Sequence, residues 1–207
     1  MYKYLDTLLA KLKKKIRVEF NRLGMMGFDE LNVVNTKKVT KEMFDRLLAE
    51  NEKMYEKAAR DAYAKAKAED NAEPPASLVA GVLVAYNLVT GYLYESEAER
   101  KRLRLNEQIL TAREYDNRQA YNDSLQRTAN LWWTQTSQYG IDIVDTATLQ
   151  AYKDMGVKKV RWKAEIDKRT CSVCRERHDK IYKISEVPGK THYNCRCYLE
   201  PVVETEE

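Results

Sequence analysis

All four cysteines and both histidines of this 207-residue chain lie in its C-terminal part, after residue 170. Cys171 and Cys174 form one pair, Cys195 and Cys197 form another, and His192 lies shortly before the second pair. Thiolate and imidazole are the ligands that Zn²⁺ prefers in proteins, and a C-x-x-C pair fits one side of a tetrahedral site. This spacing predicts that the C-terminal part of the chain folds around a metal ion.

Five side chains are candidates for the four positions of a tetrahedral site. Cys171 and Cys174 are the pair that the spacing indicates most strongly as ligands. The remaining positions are open: Cys195 and Cys197 reach one ion if they lie on a strand, where alternate side chains share a face, and His192 with Cys195 can reach it from a turn. We expect four of these five side chains to bind structural Zn²⁺ at once.

Disulfides and plain buried thiols are the alternatives to a metal. The most apolar stretch, Leu78 to Val89, is shorter than the ~20 residues that a bilayer span needs, and the N-terminus lacks the shape of a signal peptide. We therefore expect a reducing cytoplasm, where clustered cysteines more often bind metal than pair. His178 is a further ligand candidate, although a solvent-facing histidine on a hairpin is the more frequent situation.

The rest of the chain is predicted to be mainly helical. It is 43% hydrophobic and 33% charged but has only 7 glycines and 4 prolines, which favours long amphipathic helices over a β-sandwich or an open α/β sheet. Apolar residues recur at helical spacing over residues 2–23. Thr40 is positioned to cap a second helix, which follows a connector of residues 33–40 and runs to about residue 69.

Three further helical segments are predicted: Ser77 to about Tyr94, residue 95 through Trp132 and Trp133 to a stop at Gly140, and Thr146–Tyr152 before a stop at Gly156. The first segment is mostly apolar and is expected to be the central core helix. The adjacent tryptophans point about 100° apart around a helix. One ring therefore faces the core, and the other is a candidate for an interface.

Beyond Gly156 the hydrophobic period changes from helical to two. Apolar and charged side chains alternate strictly from Val160 to Ile166, which predicts a strand, and further short strands are expected around residues 180–184 and 196–201. Fewer than ~50 residues with three short strands bury too little surface to fold alone, so a metal or disulfides must add stability.

The sequence therefore predicts an α+β chain in three parts. An elongated, mainly α-helical body of residues 1–155 is followed by a small zinc-stabilised antiparallel β module of residues 156–203. The acidic residues 204–207 are expected to form a disordered tail.

No pattern typical of an enzyme accompanies the cysteines. The zinc nucleobase deaminases place H-x-E before P-C-x-x-C, whereas Thr170 precedes Cys171 here and no histidine occurs upstream. P-loop, G-x-S-x-G, G-x-G-x-x-G and H-E-x-x-H patterns are absent from the sequence. A Cys–His nucleophilic pair would need a thiolate that the metal already occupies. We therefore expect no enzymatic activity and no catalytic residues.

Two basic segments are candidate contacts for a protein partner or for nucleic acid. One lies in the N-terminal helix and the other in the densely charged region 95–117. For both segments, a solvated helix face is the more frequent interpretation of such a run, and the net charge of +4 permits contact with nucleic acid without indicating it. The first-choice residues are Lys11, Lys13, Lys14, Lys15 and Arg17, and the second-choice residues are Arg100, Lys101, Arg102 and Arg104.

The order of residues around the cysteines resembles one known family. The segment Asp167–Cys174 reads D-x-R-T-C-x-x-C, and the segment His192–Cys197 reads H-x-N-C-R-C. Together they are similar to the C-terminal module of the phage head morphogenesis family, the Mu F-like minor head proteins of tailed bacteriophages. The motif covers about 40 residues, and the preceding helical region is similar in layout only.

Individual positions carry this resemblance. Those that match are Asp167, Arg169 and Thr170 in the lead-in, Cys171 and Cys174 in the first knuckle, Lys180 and Tyr182 in the hairpin, and His192, Asn194, Cys195, Arg196 and Cys197 in the second knuckle. Two departures are visible. Asp179 stands where the family commonly has a turn glycine, and the run Pro188–Thr191 replaces a proline nearer to the histidine. Neither departure removes a candidate ligand.

The resemblance implies a structural component of a virion. Such proteins are made in the host cytoplasm, join the assembling head in several copies near the portal vertex, and can remain in the capsid interior with the DNA. For this chain it implies action by binding, without a membrane. The helical body would dock on portal protein or major capsid protein, and basic surfaces would contact packaged DNA and assist its packaging or ejection.

Two other functions remain open from the residues. A zinc-containing nucleic-acid-binding protein that is not part of a virion would use the same cluster and the same basic segments. A zinc hydrolase or nuclease is a third hypothesis. Steep salt dependence is expected of the nucleic-acid binder, because binding to phosphates releases counterions.

Overall fold

The structure is a computed structural model, and it describes residues 3–68, 72, 74–75, 96–190, 192 and 195–202. The described residues form four long helices: α1 (Lys3–Gly24), α2 (Val33–Lys67), α3 (Ser96–Glu114) and α4 (Arg118–Asp154). A short helix, three strands and one 3-10 turn follow: β1 (Lys159–Lys163), α5 (Ser172–Arg177), β2 (Ile181–Lys183), the turn Ile184–Glu186 and β3 (Tyr198–Val202). The predicted combination of a mainly helical chain with a small antiparallel sheet at its C-terminal end is confirmed.

The chain divides into two compact units. One contains the described residues of Met1–Leu8, Tyr55–Val82 and Ser137–Glu207, and the other contains those of Leu9–Met54 and Leu83–Thr136. The functional division into residues 1–155 and 156–203 stays a prediction. The predicted core helix from Ser77 to Tyr94 and the acidic tail lie outside the described residues. No helix in the described part of the chain is long and apolar enough to cross a membrane.

The amphipathic pattern of the N-terminal segment gives α1 one buried face. Leu12, Ile16, Phe20 and Leu23 follow one another at steps of three or four residues, and each is at most 4% exposed. Helical geometry places residues at these steps on the same face, so their burial follows directly from the sequence.

The second helix begins earlier than its sequence predicts. Asn32 accepts a hydrogen bond from the backbone N–H of Asn35 at 2.9 Å and so caps α2 at its N-terminus. The prediction of Thr40 as the cap, and of residues 33–40 as a connector, was wrong. Thr40 is buried inside α2, where its hydroxyl lies 2.6 Å from the side-chain amide of Asn106 on α3.

The helix that was predicted to run from residue 95 to Gly140 is two helices. The break falls at Asp116, which has φ +49, and Asn117 caps α4 by accepting from the N–H of Ala120 at 2.9 Å. Gly140 does not end a helix but lies inside α4. Glycine costs about 1 kcal/mol in a helix interior, and the buried residues that follow on α4, such as Val144, offset this cost.

Gly156 ends α4 as predicted. It has φ +76, and the N–H of the next residue, Val157, donates to the carbonyl of Tyr152 at 2.9 Å. This pairing is a Schellman motif, which satisfies the last helical carbonyls and turns the chain towards β1. The predicted helix of residues 146–152 is the final part of α4.

The three strands form one antiparallel sheet in the order β2-β1-β3. Trp162 on the central strand pairs with Leu199 on β3, and Val160 pairs with Tyr182 on β2. Val160, Trp162 and Leu199 are at most 3% exposed, so one face of the sheet is buried, as the alternation predicts. The alternation was wrong at Ile166, which is 46% exposed because β1 has ended by residue 163.

We predict that Gly156→Ala lowers the free energy of unfolding by about 1–2 kcal/mol, because a Cβ is disfavoured in the left-handed region. Gly189→Ala is the matched control, since Gly189 has open space around it and no positive φ. Urea unfolding measures both. Equal stability of the two variants would contradict the role given to Gly156.

Candidate metal centre

The first pair of cysteines lies at the start of α5. Cys171 is the N-cap residue, with φ −67 and ψ 161, and its sulfur accepts from the backbone N–H of Cys174 at 3.3 Å. The carbonyl of Cys171 accepts from the N–H of Arg175 at 3.0 Å and closes the first helical turn. This single turn brings the sulfurs of Cys171 and Cys174 to one side, as a zinc knuckle requires.

The residues before Cys171 form a turn that is held by their own side chains. Asp167 accepts from the backbone N–H of Arg169 at 2.7 Å, and its own N–H donates to the hydroxyl of Thr170 at 2.8 Å. The Thr170 hydroxyl in turn donates to the carbonyl of Glu165 at 2.6 Å. The D-x-R-T motif is therefore a side-chain-stabilised turn that positions the first knuckle.

The other four candidate ligands lie around Cys174. The Nε2 of His192 is 3.1 Å from the Cys174 sulfur, and the sulfur of Cys195 is 3.7 Å from it. Two groups of donor atoms result, with all atoms of a group within 4.8 Å of one another: Cys171, Cys174 and His192 in one, and Cys174, Cys195 and Cys197 in the other. Because Cys174 belongs to both groups, it is the centre of the cluster. The choice of four among the five stays a prediction.

The chemistry of these donors fits zinc. Two thiolates at about 2.3 Å from a tetrahedral ion lie ~3.8 Å apart, and the sulfurs of Cys174 and Cys195 are 3.7 Å apart. Neither group of donors contains a carboxylate, and sulfur with imidazole suits zinc better than magnesium or calcium. A cavity of about 30 Å³ borders Cys171, Cys174, His192 and Cys197, which is room for an ion or a single water.

Within each pair of cysteines, the pKa of one thiol is lowered and the pKa of the other is raised. The N–H of Cys174 holds the pKa of Cys171 below its usual range, whereas burial, followed by the bond with Cys171, raises the pKa of Cys174 to about 12. The thiol of Cys195 hydrogen-bonds to Cys197, which raises the pKa of Cys195 and lowers that of Cys197. A divalent cation would replace the thiol protons, so metal binding would release them to solvent.

The indole of Trp162 lies against the cluster. Its buried N–H has no hydrogen-bonding partner that meets normal geometry among the described residues. It nevertheless contributes to the lowered pKa of Cys197, after the larger effect of Cys195. A donor in this position favours the thiolate form of Cys197, which is the form that binds a metal.

An ion pair joins the two halves of the cysteine motif. Arg196, between the last two cysteines, donates to Asp167 at 2.7 Å and to Glu165 at 3.2 Å. Arg196 is the main cause that holds the pKa of Asp167 well below its usual range. The resemblance to the family includes Arg196 and Asp167 as separate positions, and in the structure their ion pair attaches the second knuckle to the first.

Lys190 lies in the run that departs from the family pattern, and nothing else in the sequence marks it. Its side chain is 1% exposed, and its ammonium lies 3.0 Å from the carboxylate of Asp145 on α4. It donates to the carbonyl of Cys197 at 2.5 Å and lies 4.9 Å from the ring centre of Trp162. Lys190 therefore links helix α4, the sheet and the second knuckle.

His178 does not join the cluster. Its Nδ1 accepts from the backbone N–H of Ala164 at 3.0 Å, and its Nε2 lies 3.2 Å from a carboxylate oxygen of Asp179. Both ring nitrogens are therefore engaged outside the metal centre. His178 ends α5 and ties it to the end of β1, and its side chain is 30% exposed.

The basic residues of α1 differ in their surroundings. Lys15 forms an ion pair with Glu50, and Lys13 lies over the ring of Trp133 at 5.0 Å. The other first-choice residues, Lys11, Lys14 and Arg17, are exposed. Lys13 and Lys15 therefore have partners within the chain, and contact of this segment with a protein or nucleic acid stays a prediction.

The second basic segment also has side chains that bind other residues of the chain. Lys101 donates to Gln135, and Arg102 donates to Glu99, 2.7 Å from the guanidinium Nε. Arg100 and Arg104 are exposed. Lys101 and Arg102 thus have structural contacts that compete with binding to a partner.

A comparison with protein families supports the resemblance. Residues 112–200 match the model of the family described as Phage Mu protein F like protein. The matched segment is less than half of the chain, but it contains α4, the sheet up to Glu200 and all five candidate ligands. The resemblance is thus confirmed, and it extends from the cysteine motif into the helical region. No curated protein and no solved structure matches the chain.

We predict that Lys190→Met lowers the free energy of unfolding by about 3 kcal/mol, because it leaves the carboxylate of Asp145 with little solvent and without its cation. Lys183→Met is the matched control: Lys183 pairs with Glu186 but is 67% exposed, so its loss should cost less than ~1 kcal/mol. Thermal and urea unfolding measure the difference. An equal effect of the two substitutions would contradict the structural role of Lys190.

Proposed function

We propose that this protein is a minor head protein of a bacteriophage, which acts in head morphogenesis by binding near the portal vertex. The match of residues 112–200 to the Mu F-like family carries this proposal. The match includes α4 together with the Cys/His module, so it concerns a folded unit and not a short cysteine pattern. Portal protein and major capsid protein are the partners, with packaged DNA as a further contact.

The module is proposed to hold one structural Zn²⁺. The support is the convergence of soft donors on Cys174 and the burial of Cys174, Cys195 and Cys197, each 4% exposed. A buried site closed by protein ligands suits a structural ion, whereas a catalytic zinc keeps one position for water. When bound, the ion would supply folding free energy to a sheet of three short strands. On this basis we propose no enzymatic activity.

A second candidate function is nucleic-acid binding outside a virion. Exposed cations on the helices favour it, namely Lys11, Lys14, Arg17 and Arg104. Such contacts would neutralise phosphates, so the affinity for DNA would fall steeply between low and moderate salt. Docking on portal protein through apolar and aromatic side chains would survive the same increase in salt.

We predict about one zinc per chain and a metal-dependent module. The double variant Cys171→Ser with Cys174→Ser leaves three of the five candidate donors, so it should reduce the bound zinc to near zero and unfold the module. Helices α1 to α4 should remain largely intact, because the ion stabilises only the elements that its ligands connect. Elemental analysis measures the metal. Limited proteolysis should cut the variant within residues 157–202 and spare the helices.

His178→Ala is the control for this experiment. It removes an imidazole close to the cluster whose two nitrogens have other partners, so the zinc content should stay at about one per chain. A module that is fully stable without metal would overturn the zinc proposal. Loss of zinc in His178→Ala would show that the ligand set is different.

The place of the protein in the virion has its own test. Mass spectrometry of purified virions should detect the chain, and purified portal protein should retain it in a pull-down at moderate salt. Absence from virions, together with DNA binding that has a steep salt dependence, would favour the nucleic-acid-binding alternative. DNA cleavage by a pure, folded protein that His192→Ala abolishes would overturn the assignment as a protein without enzymatic activity.

A further inference from the structure

A groove lies between α1 and α4 in the unit formed by Leu9–Met54 and Leu83–Thr136. The two helices are antiparallel along it: the Tyr121 hydroxyl donates to the carbonyl of Leu23 at one end, and Lys13 lies 5.0 Å from the ring of Trp133 at the other. The volume of the groove is about 650 Å³. From residue 13 to residue 24 of α1 it extends over three helical turns, which is about 16 Å.

The floor of the groove is apolar and its two sides differ in polarity. Ile16, Phe20 and Leu125 line the groove but are at most 5% exposed. Met25, Ala129 and Trp133 are the lining residues that offer apolar surface to a ligand. On the α4 side, three exposed amides follow one another at steps of four residues: Asn122, Gln126 and Asn130.

The α1 side carries the charge. Lys13 and Arg17 lie one helical turn apart there, and no carboxylate is among the described residues that line the groove. A ligand that matches this surface has an apolar stripe, a negatively charged flank towards α1 and an uncharged polar flank towards α4.

A helix has this shape and this distribution of side chains. Two antiparallel helices leave a groove into which a third helix packs, and residues at steps of three and four then supply an apolar stripe. Three turns of such a helix match the length of the groove. Acidic residues on one flank would lie next to Lys13 and Arg17 and be attracted to them.

Single-stranded nucleic acid fits the groove less well. Phosphates need cations along their whole path, and the groove offers Lys13 and Arg17 on one side only. Bases stack on open aromatic faces, but the ammonium of Lys13 lies over the ring of Trp133. The apolar floor would also remain uncovered by phosphates and sugars.

We propose that the groove between α1 and α4 binds an amphipathic helix of a partner protein, with acidic residues on the flank that faces α1. The apolar stripe of this helix packs on Met25 and Ala129, above the buried Phe20 and Leu125, and its acidic flank pairs with Lys13 and Arg17. The proposal rests on the proposed function only for the source of the helix, which would be portal or capsid protein.

Labelled synthetic helices test the groove directly on the full-length protein. Two peptides of ~18 residues have the same stripe of leucines. On the flank that would face α1, the first peptide carries glutamates and the second carries lysines. Fluorescence anisotropy should show the glutamate peptide bound about tenfold more tightly, because two ion pairs replace two repulsions. Equal affinities of the two peptides, or no binding of either, would overturn the proposal.

A charge reversal supplies the matched control. The double variant Lys13→Glu with Arg17→Glu should reverse the preference and favour the lysine peptide. The double variant Lys11→Glu with Lys14→Glu makes the same change of net charge on the same helix, outside the residues that line the groove. It should keep the original preference, and an equal effect of both double variants would contradict a specific groove.

Filling the floor tests the position of the peptide. Ala129→Trp should weaken the glutamate peptide about tenfold while circular dichroism shows an unchanged helix content. If Ala129→Trp unfolds the protein, the charge reversal decides alone. Unchanged binding to a folded Ala129→Trp variant would overturn the proposed site.

Three other occupants would each overturn the proposal in a recognisable way. A single-stranded DNA oligomer that displaces the peptide would identify nucleic acid. A dimer in light scattering that Ala129→Trp dissociates would identify a second copy of this chain. If the thiol of Ala129→Cys does not react with a maleimide in the free protein, another part of the chain covers the groove. All these readouts use purified protein, so they are independent of whether virions contain it.

Discussion

The cluster of five soft donors, with Cys174 at its centre, is the constraint on which the C-terminal module depends. The sheet has three short strands, and its buried face is continuous with the cysteines: Trp162 and Leu199 belong to the same buried cluster as Cys174, Cys195 and Cys197. So few apolar residues give little stability by burial alone. An ion at Cys174 would connect α5 to the segment before β3, which no strand pairing joins directly. The proposed zinc therefore completes a core that is otherwise too small.

Two ion pairs connect the segment that carries the second group of ligands to other parts of the chain. Arg196 fixes the second knuckle to the turn at Asp167, and buried Lys190 connects the same region to Asp145 on α4. The match to the Mu F-like family begins at residue 112, so it includes the helix that supplies Asp145. The module and the end of α4 form one compact unit, and the proposed partner groove lies in the other, where the function is expected to reside.

Local patterns in the sequence predicted the features that depend on neighbouring residues. The alternation from Val160 onward predicted the central strand, and Gly156 predicted the end of α4. Both features depend on backbone geometry over only a few residues. The cap at Thr40 and the stop at Gly140 were wrong because tertiary packing overrode local preference: Thr40 has a partner on α3, and α4 continues through its glycine. The role of Lys190 was not predictable, since its partner lies 45 residues earlier and only the fold brings the two together. Which ligands bind the ion is equally a property of the folded cluster.

The central claim is that sulfur and imidazole donors around Cys174 bind one zinc ion, and X-ray absorption at the zinc edge tests it most directly. The account predicts four ligands, of which three or four are sulfurs at about 2.3 Å and at most one is an imidazole nitrogen at about 2.0–2.1 Å. A spectrum dominated by oxygen ligands, or a folded protein that binds no zinc, would contradict it.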